Sequence, residues 1–173
     1  MAEANEVGLD PAAPDEITLL SNLLELYIHD LSGAFPHVKL GADGRFGYEK
    51  LALFFTEPAR RFPLVIKCDG QVAGFVLATR GSPASDDPDV LDVTEFFVIK
   101  RWRRLGVGRR AACLLWDRLP GRWIVRVSEQ NAGAIPFWTG VIARYTGCPP
   151  AELAHPTHPD AWRVFSFHSR RQP

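Results

Sequence analysis

Glu95-Phe-Phe-Val-Ile-Lys-Arg-Trp-Arg-Arg-Leu-Gly-Val-Gly-Arg109 is the stretch whose reading decides the fold. Residues 93–99 are aromatic and β-branched, the composition of a buried strand. An arginine-rich turn follows, containing Gly106 and Gly108. Beyond it Val107, Ala111, Leu114, Leu115 and Leu119 recur at helical spacing until Pro120-Gly121 stops the helix. A strand that ends in a glycine turn and a helix start aims backbone N–H groups and a positive helix end at one point. An anionic phosphate group is the natural occupant.

Two phosphate loops do not match. A P-loop ends Gly-Lys-Ser/Thr, whereas Gly108 is followed by Arg109 and Arg110. A dinucleotide fingerprint needs a third glycine, which this turn lacks. What remains is Arg103-x-x-Gly106-x-Gly108. Further on, a strand-like run Trp123-Ile-Val-Arg-Val127 precedes Asn131-Ala-Gly-Ala134-Ile-Pro-Phe137-Trp138. The first motif resembles the acyl-CoA pyrophosphate loop of the GCN5-related N-acetyltransferase (GNAT) superfamily. The second resembles the Asn-x-x-Ala-x-x-Phe-Tyr segment of the same proteins. Their order and spacing, over residues 62–145, follow the family layout, and the wording resembles a sparsely described bacterial branch of it. The resemblance implies an α/β fold with a mixed, mostly antiparallel sheet, splayed at the cofactor site, and helices on both faces.

Composition agrees with a packed chain. Hydrophobic residues are 46% of 173, enough for one domain with a sizeable core. Twenty basic and twenty acidic residues give a formal net charge of +0, so no global field draws the chain to nucleic acid or membrane. Charge is local: Lys100, Arg101, Arg103, Arg104, Arg109 and Arg110 surround the loop. A solvated basic turn or a nucleic-acid patch would also be basic. No flanking basic helix or aromatic platform accompanies this one, so the expectation is no nucleic acid and no membrane partner. Cys68, Cys113 and Cys148 are scattered and odd in number, which reads as reduced thiols in a cytoplasmic protein. His155-Pro-Thr-His158 lacks helical ligand spacing, so no metal is expected.

Along the chain, residues 1–14 read as a flexible tail and residues 15–173 as the acetyltransferase domain. Asp15 is a candidate cap for a helix to about Leu31, and residues 48–56 read as a second helix closed by Pro58. Between them Asp30, Phe35, His37, Lys39, Asp43, Arg45, Phe46 and Tyr48 lie where the family builds acceptor sites. A hairpin is predicted at Asp69-Gly70, with Gly74 marking a bulge or close approach. Residues 146–159 read as irregular and residues 161–168 as a last strand. The family's opening strand has no counterpart in the tail. Pro136 requires either a kink or a helix beginning near Gly133.

The resemblance implies transfer of an acetyl group from acetyl-CoA to the primary amine of a small molecule, with a protein acceptor as the lesser alternative. Phe97, Val98 and Ile99 would run along the pantetheine, and an N–H of Phe97 or Val98 would meet the thioester oxygen. Arg103, Arg104, Leu105, Gly106, Val107, Gly108 and Arg109 would wrap the pyrophosphate, with Asn131 and Phe137 against the cofactor arm. Glu95 is the preferred proton acceptor and Asp92 its rival. Trp138 stands where the family often has a tyrosine acid, leaving Tyr145 or water for that step. A non-catalytic acyl-CoA-binding module that kept the loop is the competing reading. The family often forms homodimers, and the strand at residues 162–167 is a candidate edge.

Overall fold

In the computed structural model, which describes residues 5–154 and 162–169, seven strands form one sheet. They are β1 (Val7–Pro11), β2 (Arg61–Cys68), β3 (Gln71–Arg80), β4 (Leu91–Val98), β5 (Arg122–Ser128), β6 (Ala151–Leu153) and β7 (Trp162–His168). The spatial order is β1-β2-β3-β4-β5-β7-β6. Every pairing is antiparallel except β4–β5. The helices are α1 (Ile17–Ser32), α2 (Leu53–Thr56), α3 (Val107–Arg118) and α4 (Ala134–Thr146).

Alternating side chains on the central strands fill both faces, as period two requires. Val65, Phe75, Leu77 and Phe97 pack against Leu20, Leu23 and Leu24 of α1 and Phe54 of α2. Ile66, Val76, Ala78, Val93 and Val125 pack on the opposite face with Ala111, Leu115 and Trp116 of α3 and Trp138 and Ile142 of α4. The fold is therefore a mixed, mostly antiparallel sheet with helices on both faces. No helix among the described residues is long and apolar enough to cross a membrane.

Several local expectations change. Residues 7–11, expected within a flexible tail, form β1, paired with β2 from Val7↔Cys68 to Pro11↔Leu64. The strand was illegible because only Leu9 is buried and Gly8 and Pro11 weaken any strand signal; an edge position tolerates that proline. Asp15 does not cap α1. A 3-10 turn, Pro14–Glu16, precedes the helix, and Glu16 accepts the Ala13 N–H at 2.8 Å. The second helix is only Leu53–Thr56, because residues 49–52 are turns. β7 is not an edge, since β6 flanks it. Asp69 (φ 49°) and Gly70 (φ 74°) make the predicted two-residue hairpin turn. α4 starts at Ala134, so Pro136 sits in its first turn, where a missing N–H costs nothing.

Candidate active site

β4 and β5 are paired for only three residues, Leu91↔Trp123, Asp92↔Ile124 and Val93↔Val125. Beyond them the strands part. The separation begins beside a bulge: Leu77 faces Glu95 and Ala78 faces Val93, leaving Thr94 as an extra residue on β4. Bulges bend and twist a strand, which here turns the rest of β4 away from β5. A cleft of about 1150 Å³ opens at the split. Thr94, Glu95, Phe96, Arg126, Asn131, Phe137 and Trp138 line it from the sheet and α4, and Tyr27, Phe35, His37 and Tyr48 from the α1 side.

The backbone of β4 faces two ways. A Cβ built on Gly74 of β3 would lie 2.0 Å from the Phe97 carbonyl oxygen, so that carbonyl points at β3. The Ile99 N–H also turns to β3, donating to Ala73 at 2.9 Å. Val98 alternates with them. Its carbonyl accepts Arg103 Nε at 2.6 Å on the opposite side. By the same alternation the Val98 N–H faces the edge that β5 has left, while those of Phe97 and Ile99 are committed to β3.

At the end of β4 a 3-10 turn, Lys100–Trp102, leads into the glycine loop. Arg104 (φ 63°) and Gly106 (φ 80°) are left-handed, and this folds the loop back before α3. The N–H groups of Val107, Gly108 and Arg109 open α3 and have no acceptor within the helix. Gly108 serves packing: a Cβ there would come within 3.3 Å of the Phe137 ring and 3.5 Å of Val98. The cations divide into two sets. Arg103 (2.5 Å) and Lys100 (3.4 Å) both bond to Asp30 of α1, and Arg110 donates to the Asn5 carbonyl. Arg101, Arg104 and Arg109 form no ion pair among the described residues. Asp30 thus braces the loop, and Arg103 braces it rather than standing open to an anion.

Glu95 reaches into the cleft between two phenols. Tyr27 Oη donates to Oε2 at 2.7 Å and Tyr48 Oη to Oε1 at 3.1 Å. Burial pushes the Glu95 pKa above the usual carboxylate value, and the two phenol bonds and Arg126 only partly pull it back. Burial and the adjacent Glu95 push both phenols well above the ordinary tyrosine value, so neither is a ready acid. Phe75 and Phe97 pack against the Tyr27 ring, each at 5.8 Å, and fix its hydroxyl.

Asp92 has a different setting. It is 0% exposed and does not line the cleft. Arg126 Nε and Nη2 donate to its two oxygens, each at 2.9 Å, and the Ser82 hydroxyl donates to Oδ2. It is an ion-pair partner, not an accessible base. Tyr145 is likewise turned away from the cleft. It packs edge-on against Trp116 at 5.0 Å and donates to Asp117 of α3 at 2.7 Å. Trp138, 6% exposed, packs edge-on against Phe96 at 5.0 Å. Asn131 lines the cleft ahead of α4, whose first cap is Gly133 with no side-chain bond. Within the inter-helix segment, Arg45 pairs with Glu25 instead of reaching the cleft. Sequence reading missed Tyr27, Arg126 and the pairing of Glu95 with Tyr48; partners 68 and 47 residues away leave no local signal. Among the described residues no group of three or more His, Cys, Asp or Glu is arranged to hold a metal, and His155 and His158 lie outside the described residues.

The sequence profile of the acetyltransferase (GNAT) family matches residues 21–140. No curated protein matches the chain. Solved structures do resemble it in fold. An acetyltransferase from Thermus thermophilus is 16% identical with a TM-score of 0.65, the match covering 95% of this chain and 98% of that one. The protein yncA of Salmonella typhimurium, solved with its cofactor acetyl-CoA, is 14% identical with a TM-score of 0.60, covering 94% and 93%. Diaminobutyrate acetyltransferase EctA from Paenibacillus lautus, solved with L-2,4-diaminobutyric acid and coenzyme A, is 18% identical with a TM-score of 0.61, covering 95% and 96%.

Proposed function

The chain belongs to the acetyltransferase (GNAT) family, and from that premise we propose that it moves the acetyl group of acetyl-CoA to the primary amine of a small molecule, by direct attack in a ternary complex. The observation that carries the reading is the parting of β4 from β5 beside a half-buried carboxylate held by two phenols. The chain's groups fit acetyl-CoA as co-substrate. The slot beside β4 that β5 leaves empty takes the extended pantetheine arm in the line of a missing strand. The loop from Arg104 through Leu105, Gly106, Val107 and Gly108 to Arg109 brings helix N–H groups and free guanidinium charge to a pyrophosphate. Asn131 and Phe137 flank the arm between them.

The chemistry then needs few protein groups. The amine nitrogen attacks the thioester carbonyl carbon, a C–N bond forms and the C–S bond breaks. The Val98 N–H meets the thioester oxygen as it gains charge. Glu95 takes the amine proton through water, a task suited to a carboxylate whose pKa lies above its usual range. The leaving thiolate takes its proton from water, since Trp138 has no acidic proton and Tyr145 is bonded to Asp117. Arg103 contributes by bracing β4 to α1 through Asp30. The Paenibacillus neighbour, solved with a diamino acid, supports a small acceptor over a protein one.

A non-catalytic acyl-CoA-binding module competes, favoured by Trp138 at the usual tyrosine position. Thiol release from acetyl-CoA across a panel of amines separates the two. The transferase reading predicts release that depends on the amine and falls steeply in Glu95→Gln, whose acetyl-CoA affinity is retained. Binding without release from any amine would establish the module instead.

A further inference from the structure

Arg126, on β5, lines the cleft with its side chain 23% exposed. Two of its nitrogens are committed: Nε and Nη2 donate to the two oxygens of fully buried Asp92, each at 2.9 Å. The Ser82 hydroxyl locks that carboxylate further. The Trp162 ring lies 6.0 Å from the guanidinium carbon. The guanidinium is therefore held in one plane. A guanidinium carries five N–H donors in a fixed fork. Among the described residues no acceptor meets Nη1 of Arg126. Burial favours loss of the charge, but the bonds and charge of Asp92 outweigh it and keep the group cationic. Arg126, Glu95, Tyr27 and Tyr48 line the same cleft, so the fork and the carboxylate between the phenols face one cavity.

A buried arginine–aspartate pair gives a fold little that apolar residues of similar volume would not. The edge of the fork that Asp92 leaves open belongs to a side chain that lines the cleft. Both features make sense if a ligand supplies the missing acceptor. The planar fork matches a carboxylate in particular.

We propose that Arg126, oriented by Asp92, receives the carboxylate of the acceptor, so that the acceptor is an amino acid or another short zwitterion whose amine sits at Glu95. The inference rests on the transferase reading and deepens it. Arg126 is a specificity residue in contact with substrate, and Asp92 positions it.

The test compares each common α-amino acid with its decarboxylated amine, following thiol release from acetyl-CoA. One hydrogen bond to a charged group corresponds to a kcat/KM advantage of roughly ten- to a hundredfold for the amino acid of an accepted pair. In the double variant Asp92→Asn/Arg126→Gln, which keeps a neutral hydrogen-bonded pair, that ratio falls to near one, mainly through KM. In Arg126→Lys, which keeps charge but not the fork, it takes an intermediate value. Decarboxylated amines used as well as their amino acids by the wild type would overturn the inference and leave the transferase reading standing. A preference that survives in the double variant would also overturn it. A wild type that binds acetyl-CoA and releases thiol with no amine at all would overturn both.

Discussion

Replacing Gly74 by alanine tests how tightly β3 holds the strand that borders the cleft. The new Cβ would stand 2.0 Å from the Phe97 carbonyl oxygen, 2.9 Å from its carbon and 3.0 Å from the Val98 Cα. All three are backbone atoms, so no side chain can swing aside. Ordinary contact begins at 3.4 Å, so β4 must move by more than an ångström, or β3 must buckle. Strands sit about 4.8 Å apart, and such a displacement breaks ladder hydrogen bonds at that point. Overpacking costs about 1–3 kcal/mol. Each lost ladder bond adds roughly 0.5–1.5 kcal/mol. A loss of about 2–5 kcal/mol follows, measurable as a lower urea midpoint at unchanged slope. Because β4 is pushed toward the slot left by β5, acetyl-CoA affinity falls with stability. Gly140→Ala in α4 is the control. A Cβ there meets nothing within 4 Å, and the helix interior gains about 0.5–1 kcal/mol. A Gly74→Ala protein within about 0.5 kcal/mol of the wild type would refute the close approach.

Glu95→Gln should lower turnover by about 10²- to 10⁴-fold while leaving the acetyl-CoA binding isotherm unchanged, as befits loss of a general base. Since Glu95 must be ionised to accept a proton, kcat/KM should rise with pH through a limb above the usual carboxylate range. Tyr48→Phe removes a bond that lowers the Glu95 pKa, so that limb should move to higher pH; a limb that stays put would remove Glu95 from the profile. The same raised pKa means that the folded state holds the proton more tightly than the unfolded chain. Glu95's contribution to stability is then fully present below the unfolded carboxylate pKa and is lost as pH rises through the folded one, an effect that Glu95→Gln should remove from denaturation curves. Tyr145→Phe should cost about 0.5–1.5 kcal/mol of stability through the lost Asp117 bond and change kcat by less than about twofold; a large fall in kcat would restore Tyr145 to the chemistry.

Sequence reading succeeded where local chemistry dictates local structure. The strand, turn and helix around Arg103-x-x-Gly106-x-Gly108 announce themselves through aromatic and β-branched residues, glycine and helical spacing. The Asp69-Gly70 turn does so through two residues that tolerate positive φ. It failed where signals were short or distant. β1 is a five-residue edge with one buried side chain. Of the predicted acceptor-site residues, Phe35, His37 and Tyr48 reach the cleft, whereas Asp30 of α1 and Arg45 are held in ion pairs. Glu95 and Asp92 stand three positions apart on one strand, and sequence prefers Glu95 as base without removing Asp92 as its rival. Only the fold separates them, by giving one two phenols and a cleft, and the other a guanidinium and full burial. Gly108 makes room for the Phe137 ring of α4, a contact that sequence alone does not reveal. The basic cluster read as one anion site, yet Asp30 claims Lys100 and Arg103 for the loop's own bracing.

A calorimetric titration of the wild type with acetyl-CoA, beside Gly106→Asp, tests the central claim most directly. Aspartate tolerates the left-handed backbone at that position better than most residues, so the variant should fold, while its carboxylate opposes the pyrophosphate at the start of α3. The account predicts micromolar, one-to-one binding by the wild type and a loss of at least about tenfold in the variant, the equivalent of roughly 1.4 kcal/mol. A folded wild type that takes up no acetyl-CoA, or a variant that binds it equally well, would contradict it.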